Sequence, residues 1–173
     1  MKNPFKPEEK YPTSFIVITA VFSFVGIAVL GLIDQCINID GIRSQFIIAS
    51  FGSTAVLIYA VPKARFSRPK NVFFGHIFSG LFSITLVILF DMAGILVDLN
   101  WICCGLCVAG SILIMVLTDT VHPPAGATAL TCAISMIMDY WLIVFPLVIG
   151  LLTMMAIAYG ANWCRDKYVP AKE

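Results

Sequence analysis

The sequence predicts an all-α membrane protein with six membrane segments, arranged as two inverted repeats of three segments each. The chain of 173 residues is 60% hydrophobic and only 12% charged, with a mean hydropathy of +0.94. Its charged residues leave six long apolar stretches, each close to the roughly 20 residues that a helix needs to cross a bilayer. The second and fifth stretches share a pattern of small residues, and we expect these two segments to be short or broken.

The composition excludes several classes of protein. Soluble domains carry about 25% charged residues, so a chain with half that share could not hide its apolar surface as a water-soluble enzyme. The same composition excludes a disordered chain and a disulfide-stapled secreted module, and a net charge of +1 argues against a nucleic-acid partner. The polar ends are too short to fold alone, so we expect residues 1–173 to form a single domain whose solvent is the lipid bilayer.

The positions of the charges divide the chain into membrane segments. The six predicted segments are 10–33, 44–62, 71–92, 99–119, 122–138 and 140–164. Within their uncharged parts the ionisable side chains, apart from cysteine and tyrosine, are His76 and His122. The first segment is too long for the apolar region of a signal peptide and lacks a small-residue cleavage site after it. It is therefore predicted to be a membrane helix.

The basic residues predict the orientation. If all six segments cross the membrane, ten of the eleven Lys and Arg side chains fall on one side, at the two termini and in the loop of residues 63–70. Arg43 alone falls on the other side. Because basic residues accumulate on the cytoplasmic side of a membrane, both termini are predicted to be cytoplasmic in a multi-pass protein of the cell (inner) membrane.

The second and fifth segments align at an offset of 74 residues. They contain Gly52-Ser53-Thr54-Ala55-Val56-Leu57 and Gly126-Ala127-Thr128-Ala129-Leu130. The same offset pairs the first segment with the fourth and the third with the sixth. A unit of three crossings enters on one side and leaves on the other, so its second copy is inverted, as in many secondary transporters. Close helix packing alone also explains small residues, but the three-plus-three pattern favours transport.

A helix is predicted to begin near Pro123, because two successive prolines fit only the first turn of a helix. Val121 and His122 are then extended or capping. A helix start carries partial positive charge and unpaired N–H groups, and small residues let an anion approach it. We expect a substrate site near the membrane midplane, formed by two small-residue helix ends. Its predicted residues are Gly52, Ser53, Thr54, His122, Pro123, Pro124, Gly126, Ala127 and Thr128.

The stretch Thr118-Asp119-Thr120-Val121-His122-Pro123-Pro124-Ala125-Gly126-Ala127-Thr128 resembles the signature of the HPP family of integral membrane proteins. Residues 50–57 look like the family's first Gly-rich segment, and residues 68–76 are similar to its Pro-basic-Asn loop and Gly-His pair. Plastid and cyanobacterial members are associated with nitrite transport, so the resemblance implies a transporter with nitrite as its candidate substrate. The family is often described with four membrane helices, which fits if the two short segments were left uncounted.

Three ionisable residues are candidates for coupling transport to protons. His76 and His122 are of the residue type that changes charge near neutral pH. Asp119 lies three residues before His122 and could pair with it if the fourth helix continued that far. The alternative for His122 is a structural one, in which it fixes the start of the fifth segment.

The cysteines do not predict a metal site. Cys104 and Cys107 have the spacing of a redox or metal pair, but no second ligand pair follows at the spacing of a zinc finger. In an apolar helix, cysteine behaves as a small hydrophobic residue. We therefore expect no metal and no cofactor.

The predicted function is membrane transport of a small anion, nitrite being the first candidate, and not an enzymatic reaction. The uncharged parts of the segments lack Lys and Arg, which suits a site that binds an anion weakly enough to release it. Two alternatives stay open: a membrane-embedded enzyme that uses His122 with Asp119, and a non-transporting subunit that docks a partner. A homo-oligomer is expected, because six short helices enclose little volume and small residues allow close packing between copies.

Overall fold

The computed structural model of the chain describes residues 11–36 and 49–169. In these two ranges the secondary structure is helical and contains no strand, which confirms the predicted all-α class. The six α-helices are α1 Thr13–Cys36, α2 Ala49–Ala55, α3 Pro69–Met92, α4 Asn100–Leu117, α5 Pro123–Ile134 and α6 Ile149–Tyr168. A π-helical turn, Val56–Ala60, continues α2, another, Ile143–Val148, precedes α6, and a 3-10 turn spans Arg65–Ser67.

Several sequence predictions fall outside the described residues. They are the first residue of segment 10–33, residues 44–48 of the second segment, Arg43, and the basic residues Lys2, Lys6, Lys10 and Lys172.

Four stretches are long and apolar enough to cross a membrane, namely Thr13–Cys36, Pro69–Met92, Asn100–Leu117 and Ile143–Tyr168. Residues Ala49–Ala60 form a shorter apolar helix, and α5 has 12 residues. At 1.5 Å per residue a helix of that length extends about 18 Å, whereas the hydrocarbon core is about 30 Å thick. Six helices are therefore present in the described ranges, but four of them have the length of a full span. The two short ones are the two small-residue segments.

The basic side chains of the described residues all lie at one end of the bundle, which we call the basic end. They are Lys63, Arg65, Arg68, Lys70, Arg165 and Lys167. The first four lie in or beside the loop between α2 and α3, and the guanidinium of Arg165 near the end of α6 donates to the carbonyl oxygen of Tyr59. Asp91, Asp98 and Asp139 lie at the opposite helix ends.

Helices α3 and α5 begin at the basic end in the same way. Each follows an extended residue, Arg68 with ψ 140° and His122 with ψ 102°, and each has proline in its first turn. Proline fits this turn because its fixed φ is close to the helical value and its missing N–H has no partner to lose there. The predicted helix start at Pro123 after an extended His122 is confirmed.

Close packing against α3 and α6 determines where α2 and the segment before α5 lie. Helix α3 packs against α4, α5 and the π turn before α6, while α1 packs against α6. A Cβ atom on Gly75 would lie 3.0 Å from both the Cβ of His122 and the carbonyl oxygen of Thr120, and one on Gly150 would lie 2.5 Å from the ring of Phe51. The absence of side chains at these two glycines therefore lets α3 approach the segment before α5, and lets α6 approach α2.

Candidate functional site

Five polar side chains meet where α2, α3 and α5 come together. We call this group the polar centre, and its members are Ser50, Thr54, His76, His122 and Thr128. Each has an exposed fraction of 1% or less. Burial of a polar group without a hydrogen-bond partner is costly, and the hydrocarbon of a bilayer supplies no partner. The members of the polar centre supply partners to one another.

The imidazole of His76 connects the two short helices. Its Nε2 lies 2.9 Å from Oγ1 of Thr54 on α2, and its Nδ1 lies 2.7 Å from Oγ1 of Thr128 on α5. Thr54 and Thr128 are equivalent positions of the aligned segments, 74 residues apart. The two small-residue helices therefore hold one imidazole from two sides with the same residue of their shared pattern.

The hydrogen bonds also fix the relative direction of α2 and α5. Near the start of α2, Ser50 accepts a hydrogen bond from Oγ1 of Thr128 at 2.9 Å. One turn later, Thr54 Oγ1 lies 3.1 Å from Nε2 of His122, which precedes α5. Moving toward the C-terminal end of α2 therefore corresponds to moving toward the N-terminal end of α5. The two helices run in opposite directions beside each other.

A backbone carbonyl and a side-chain amide of neighbouring segments hold His122 in place. Its Nδ1 lies 2.7 Å from the carbonyl oxygen of Phe66 in the 3-10 turn. A carbonyl oxygen can only accept, so this nitrogen carries a hydrogen. The amide of Asn71 on α3 donates to the carbonyl oxygen of Val121 at 2.9 Å. The result is that the imidazole centroids of His122 and His76 are held 5.0 Å apart.

The polar centre lies between the basic end and the middle of the bundle. His76 is the eighth of the 24 residues of α3, about 10 Å along the helix at 1.5 Å per residue. His122 comes immediately before the first turn of α5. The sequence predicts a site near the midplane. The helix start at Pro123 lies at the basic end, while His76 lies about two turns from the start of α3.

The glycines of the two small-residue segments lie outside the polar centre. Gly52 and Ser53 are exposed on α2, while Gly126 and Ala127 are half-buried on α5. A Cβ atom added to Gly52 or to Gly126 would have no neighbouring atom within 4 Å. The two glycines therefore have open space beside them, whereas the threonines that follow them by two residues point into the polar centre.

The first turn of α5 offers few backbone donors to an anion. Pro123, which is exposed, and Pro124, which is buried, have no N–H, and the N–H of Ala125 donates to the carbonyl oxygen of His122 at 2.9 Å. The partial positive charge of the helix start remains. The prolines that start the helix thus remove the donors expected there, so hydroxyl and imidazole groups are the available partners for a bound anion.

Asp119 lies apart from the two histidines. Its carboxylate is exposed, forms an ion pair with Arg65, and lies 3.8 Å from Nζ of Lys70. The hydrogen bond from Arg65 and the charge of that guanidinium hold the pKa of the Asp119 carboxyl below its usual value of 3.8. The backbone of Asp119 is in the left-handed region, with φ 54°, so the helix of α4 does not continue to His122. The predicted pairing of Asp119 with His122 is not formed.

The described ranges contain no group of three or more His, Cys, Asp or Glu side chains that could hold a metal ion. Cys103 and Cys107 face each other on α4, with 4.0 Å between their sulfur atoms. Cys104 is turned toward Asn100, with its sulfur 3.4 Å from the amide oxygen. The side chains of the Cys104–Cys107 pair therefore point to different partners.

Two members of the hydrogen-bond network were missed in the sequence. Ser50 lies one turn before Thr54, which places both on one face of α2, and this spacing could have identified it. The carbonyl oxygen of Phe66 could not be found in this way, because every residue has such a group and its use depends on the path of the loop. His76 was predicted as a proton-coupling residue, and the structure places it between the two predicted substrate-binding threonines.

Comparison with known proteins agrees with the motif around His122. A family model described as HPP, transmembrane region, matches residues 8–169. The chain belongs to the HPP transmembrane family. The resemblance of residues 50–130 to that family is thereby confirmed, and the polar centre of this HPP protein is built from the two Gly-rich segments and the Gly-His pair that carried the resemblance.

Two transmembrane proteins of Dictyostelium discoideum are similar to this HPP protein. One is 34% identical over 148 residues, and the other is 33% identical over 145 residues. These alignments cover 83% and 81% of the chain, but 50% and 45% of the two relatives. The chain therefore spans about half the length of the curated relatives it matches. No solved structure matches it.

Proposed function

We propose that this HPP family protein transports a small anion across a membrane and that the polar centre is the binding site. The observation that carries the proposal is the convergence of Thr54 and Thr128 on the two nitrogens of His76. Polar and ionisable groups are costly inside a membrane and mark substrate pathways in many transporters. A network that only fixed the helices could use one hydroxyl pair, whereas this one gathers five buried polar side chains.

The chemistry of the polar centre favours an anion over a cation. Its side chains are hydroxyls and imidazoles, which can donate hydrogen bonds to an anion, and an imidazole can also gain a positive charge. It contains no carboxylate, because Asp119 is exposed beside Arg65. Without a permanent full charge, the site would hold an anion weakly enough to release it, as transport requires.

Nitrite is the first substrate to test. Members of the HPP family in plastids and cyanobacteria are associated with nitrite transport, and the sequence carries the family's motifs. Nitrite is also small and has two oxygen atoms that accept hydrogen bonds. Each of the two threonine hydroxyls flanking His76 would donate to nitrite by exchanging its present acceptor for a nitrite oxygen.

We also propose that the chain consists of two inverted halves that meet at the polar centre. This is supported by the equivalence of Thr54 and Thr128, by the opposite directions of α2 and α5, and by the short length of both helices. In transporters built from inverted repeats, substrate sites lie between the repeats at short or broken helices. Movement of one half relative to the other would then expose the site to either side in turn.

The decisive experiment is a flux measurement with the purified protein in liposomes. Nitrite uptake is compared with uptake of nitrate, formate and chloride, at mildly alkaline pH, where little of the membrane-permeant nitrous acid is present. We expect nitrite uptake well above that of empty liposomes. Uptake of another anion but not nitrite would correct the substrate, and the absence of uptake for all four under several gradients would contradict transport of a small anion.

A pair of variants locates the site within the same assay. His76→Gln removes the imidazole that joins the two threonines and should lower uptake strongly. Thr131→Val is the matched control, because Thr131 lies on α5 but its hydroxyl bonds to the carbonyl oxygen of Ala127 and not to the polar centre. Equal uptake by both folded variants and the unchanged protein would show that the anion passes elsewhere.

We propose an inner-membrane location with the basic end in the cytoplasm. In the described ranges all six Lys and Arg side chains lie at this end, as basic residues do on the cytoplasmic side. α1 begins at this end, where Thr19 donates to the carbonyl oxygen of Tyr59, and α6 ends there. Labelling of single cysteines placed at Lys63 and at Asp98 from each side of the membrane would test it. Labelling of the position 63 cysteine from outside would reverse the orientation.

We further propose that the protein forms a homo-oligomer in which each chain has its own polar centre. Gly52 and Ser53 form an exposed small-residue surface on α2, and such surfaces allow helices of separate chains to approach closely. Cysteine at position 52 should cross-link two copies in the membrane. Lipid nanodiscs would be prepared at several protein-to-lipid ratios. If every particle contained a single chain, the homo-oligomer would be contradicted, whereas the transport proposal would be unaffected.

The geometry gives no support to the alternative of an enzyme at His122. Its two nitrogens bond to Phe66 and Thr54, while the carboxylate of Asp119 bonds to Arg65. Acid–base catalysis by the pair would need a direct contact between them, or one through a single water molecule. We therefore propose transport and not catalysis as the activity of the chain.

A further inference from the structure

We propose that the polar centre binds a single proton, which His76 and His122 share through the hydroxyl of Thr54, and that one such proton accompanies each transported anion. The second half of this statement rests on the proposed transport function, whereas the first half does not. Both halves depend on the number of hydrogens in the network, counted from its two ends to its middle.

At one end of the network, the hydrogen of His122 is assigned by its partner. The carbonyl oxygen of Phe66 lies 2.7 Å from Nδ1 and can only accept. Nδ1 therefore donates. A neutral imidazole has one N–H, so Nε2 of neutral His122 carries no hydrogen and offers a lone pair to Thr54, 3.1 Å away.

At the other end, the hydrogen of His76 is assigned by Thr128. The hydroxyl of Thr128 donates to Oγ of Ser50 at 2.9 Å, which uses its single hydrogen. Nδ1 of His76, 2.7 Å from the same hydroxyl oxygen, must then donate to it. Nε2 of neutral His76 consequently carries no hydrogen and also offers a lone pair to Thr54, 2.9 Å away.

The middle of the network is therefore one hydrogen short. Two lone pairs, one on each Nε2, face a hydroxyl that has a single hydrogen to donate. One added proton on either imidazole completes the set: the protonated ring donates to Thr54, and Thr54 donates to the other ring. If the hydrogen of the protonated ring moves to the oxygen of Thr54 while the hydroxyl hydrogen of Thr54 moves to the other ring, the positive charge passes from one histidine to the other. A second added proton would place two positive charges on rings 5.0 Å apart, which like-charge repulsion disfavours.

The surroundings do not neutralise this charge by direct contact. The titratable or charged side chains on or beside elements packed around the two imidazoles include Tyr59, Arg65, Arg68, Lys70, Asp91, Cys103, Cys104, Cys107, Asp119, Cys132 and Arg165. All four imidazole nitrogens are bonded to hydroxyls or to the Phe66 carbonyl. The nearby carboxylate, Asp119, is paired with Arg65 outside the centre. A protonated centre thus carries a buried positive charge that a bound anion would balance, which links the binding of the two.

The proton site can be tested without any transport assay, because the chain contains only two histidines. Nitrogen-15 NMR of histidine-labelled protein in nanodiscs follows both imidazoles as the pH is changed. We expect the two rings to shift together in one step that takes up one proton per chain. Two independent steps, two protons in one step, or no proton while the protein stays folded would each overturn the proposal.

Variants at position 54 sharpen this test. Thr54→Val removes the shared hydroxyl and should separate the behaviour of the two rings, so that they no longer shift together. Thr54→Ser keeps the hydroxyl and should restore the joint step, and Thr131→Val on α5 should leave it unchanged. A joint step that persists in folded Thr54→Val would exclude sharing through this hydroxyl. If Thr54→Val does not fold, the unchanged protein and Thr54→Ser decide the question by their proton count.

The coupling is tested by measuring protons and nitrite together in liposomes that contain a pH-sensitive dye. We expect one proton per anion, and an uptake rate that a proton gradient increases and a potassium–valinomycin potential does not change. Empty liposomes correct for passive entry of nitrous acid. Anion uptake without protons, or uptake driven by the potential, would overturn the coupling and leave the proposed transport intact. No anion uptake together with a one-proton NMR step would overturn the transport and leave the proton site intact.

Discussion

Helices α2 and α5 carry the same small-residue pattern, but they place it in different surroundings. Gly52 of α2 is exposed and Gly126 of α5 is half-buried, and neither has an atom within 4 Å of where a side chain would begin. By contrast, Thr54 and Thr128 are both buried and both bond to His76. What the two helices share in space is the inward direction of the threonine, so we propose this residue and not the glycine as the functional position of the two matched segments.

The two helices also differ in how they are held. Helix α5 packs against both α3 and α4, and its start is fixed through His122 to the loop after α2. Helix α2 packs mainly against α5 and α1 and continues into a π-helical turn. Thr54 bonds to both histidines, whereas Thr128 bonds to one histidine and to Ser50. The same substitution in the two helices should therefore have unequal effects.

The largest effect is expected from removing one threonine hydroxyl at a time. Thr54→Val should lower anion uptake more than tenfold, because it breaks the connection between the histidines. Thr128→Val should lower it several-fold, because the connection through Thr54 remains. Each variant loses two hydrogen bonds, each worth about 0.6–2 kcal/mol in a membrane. Liposome uptake and thermal unfolding of the two variants give the comparison.

The control for this pair is Thr131→Val, whose hydroxyl bonds within α5. Equal losses in Thr54→Val and Thr128→Val would mean that both threonines act only by contacting the anion. Full uptake in both would remove them from the pathway.

A smaller but clear effect on stability is expected at the glycine that lets α3 approach α5. Gly75→Ala would place a Cβ atom 3.0 Å from backbone and side-chain atoms of residues 120 and 122, and such overpacking costs about 1–3 kcal/mol. Gly126→Ala has open space and should be neutral or stabilising by up to about 1 kcal/mol, because alanine favours helix formation. Thermal unfolding in the same detergent measures both. A Gly75→Ala protein as stable as Gly126→Ala would show that the segment before α5 can move away without cost.

A still smaller effect is expected from filling the open space beside the glycines. Gly52→Leu and Gly126→Leu should change anion uptake by less than about twofold, since a cost below 0.4 kcal/mol corresponds to that factor and neither position faces the polar centre. Uptake by both variants is measured with folding checked by gel filtration. Loss of uptake in a folded Gly126→Leu protein would move the pathway to the glycine surface and reverse the conclusion drawn from comparing the two helices.

The sequence allowed the membrane class, the short second and fifth segments and the helix start at Pro123 to be predicted, because these depend on local composition and on the geometry of proline. It also identified Thr54 and Thr128 as a matched pair. It did not determine which face of α2 points inward, because small and hydroxyl residues occur on several faces of this helix: Ser50 and Thr54 share one, while Gly52 and Ser53 lie on others. The role of His76 depends on how α3 packs beside α5, so that its imidazole reaches both Thr54 and Thr128. This is a property of the packing and not of any local pattern.

The smallest effect is expected at Asp119, which lies three residues from His122 but outside the polar centre. Its pKa is lowered by the hydrogen bond and charge of Arg65, so its stabilising effect is present above pH 3.8, the usual value, and is lost as the pH falls through the lowered pKa. Because the pair is exposed, Asp119→Asn should leave anion uptake and the joint histidine step unchanged at neutral pH. Its thermal stability should differ slightly from that of the unchanged protein at neutral pH, and the difference should vanish in acid. A shifted histidine step in Asp119→Asn would instead show that this carboxylate belongs to the proton site. The polar centre would then extend to the ion pair at the basic end.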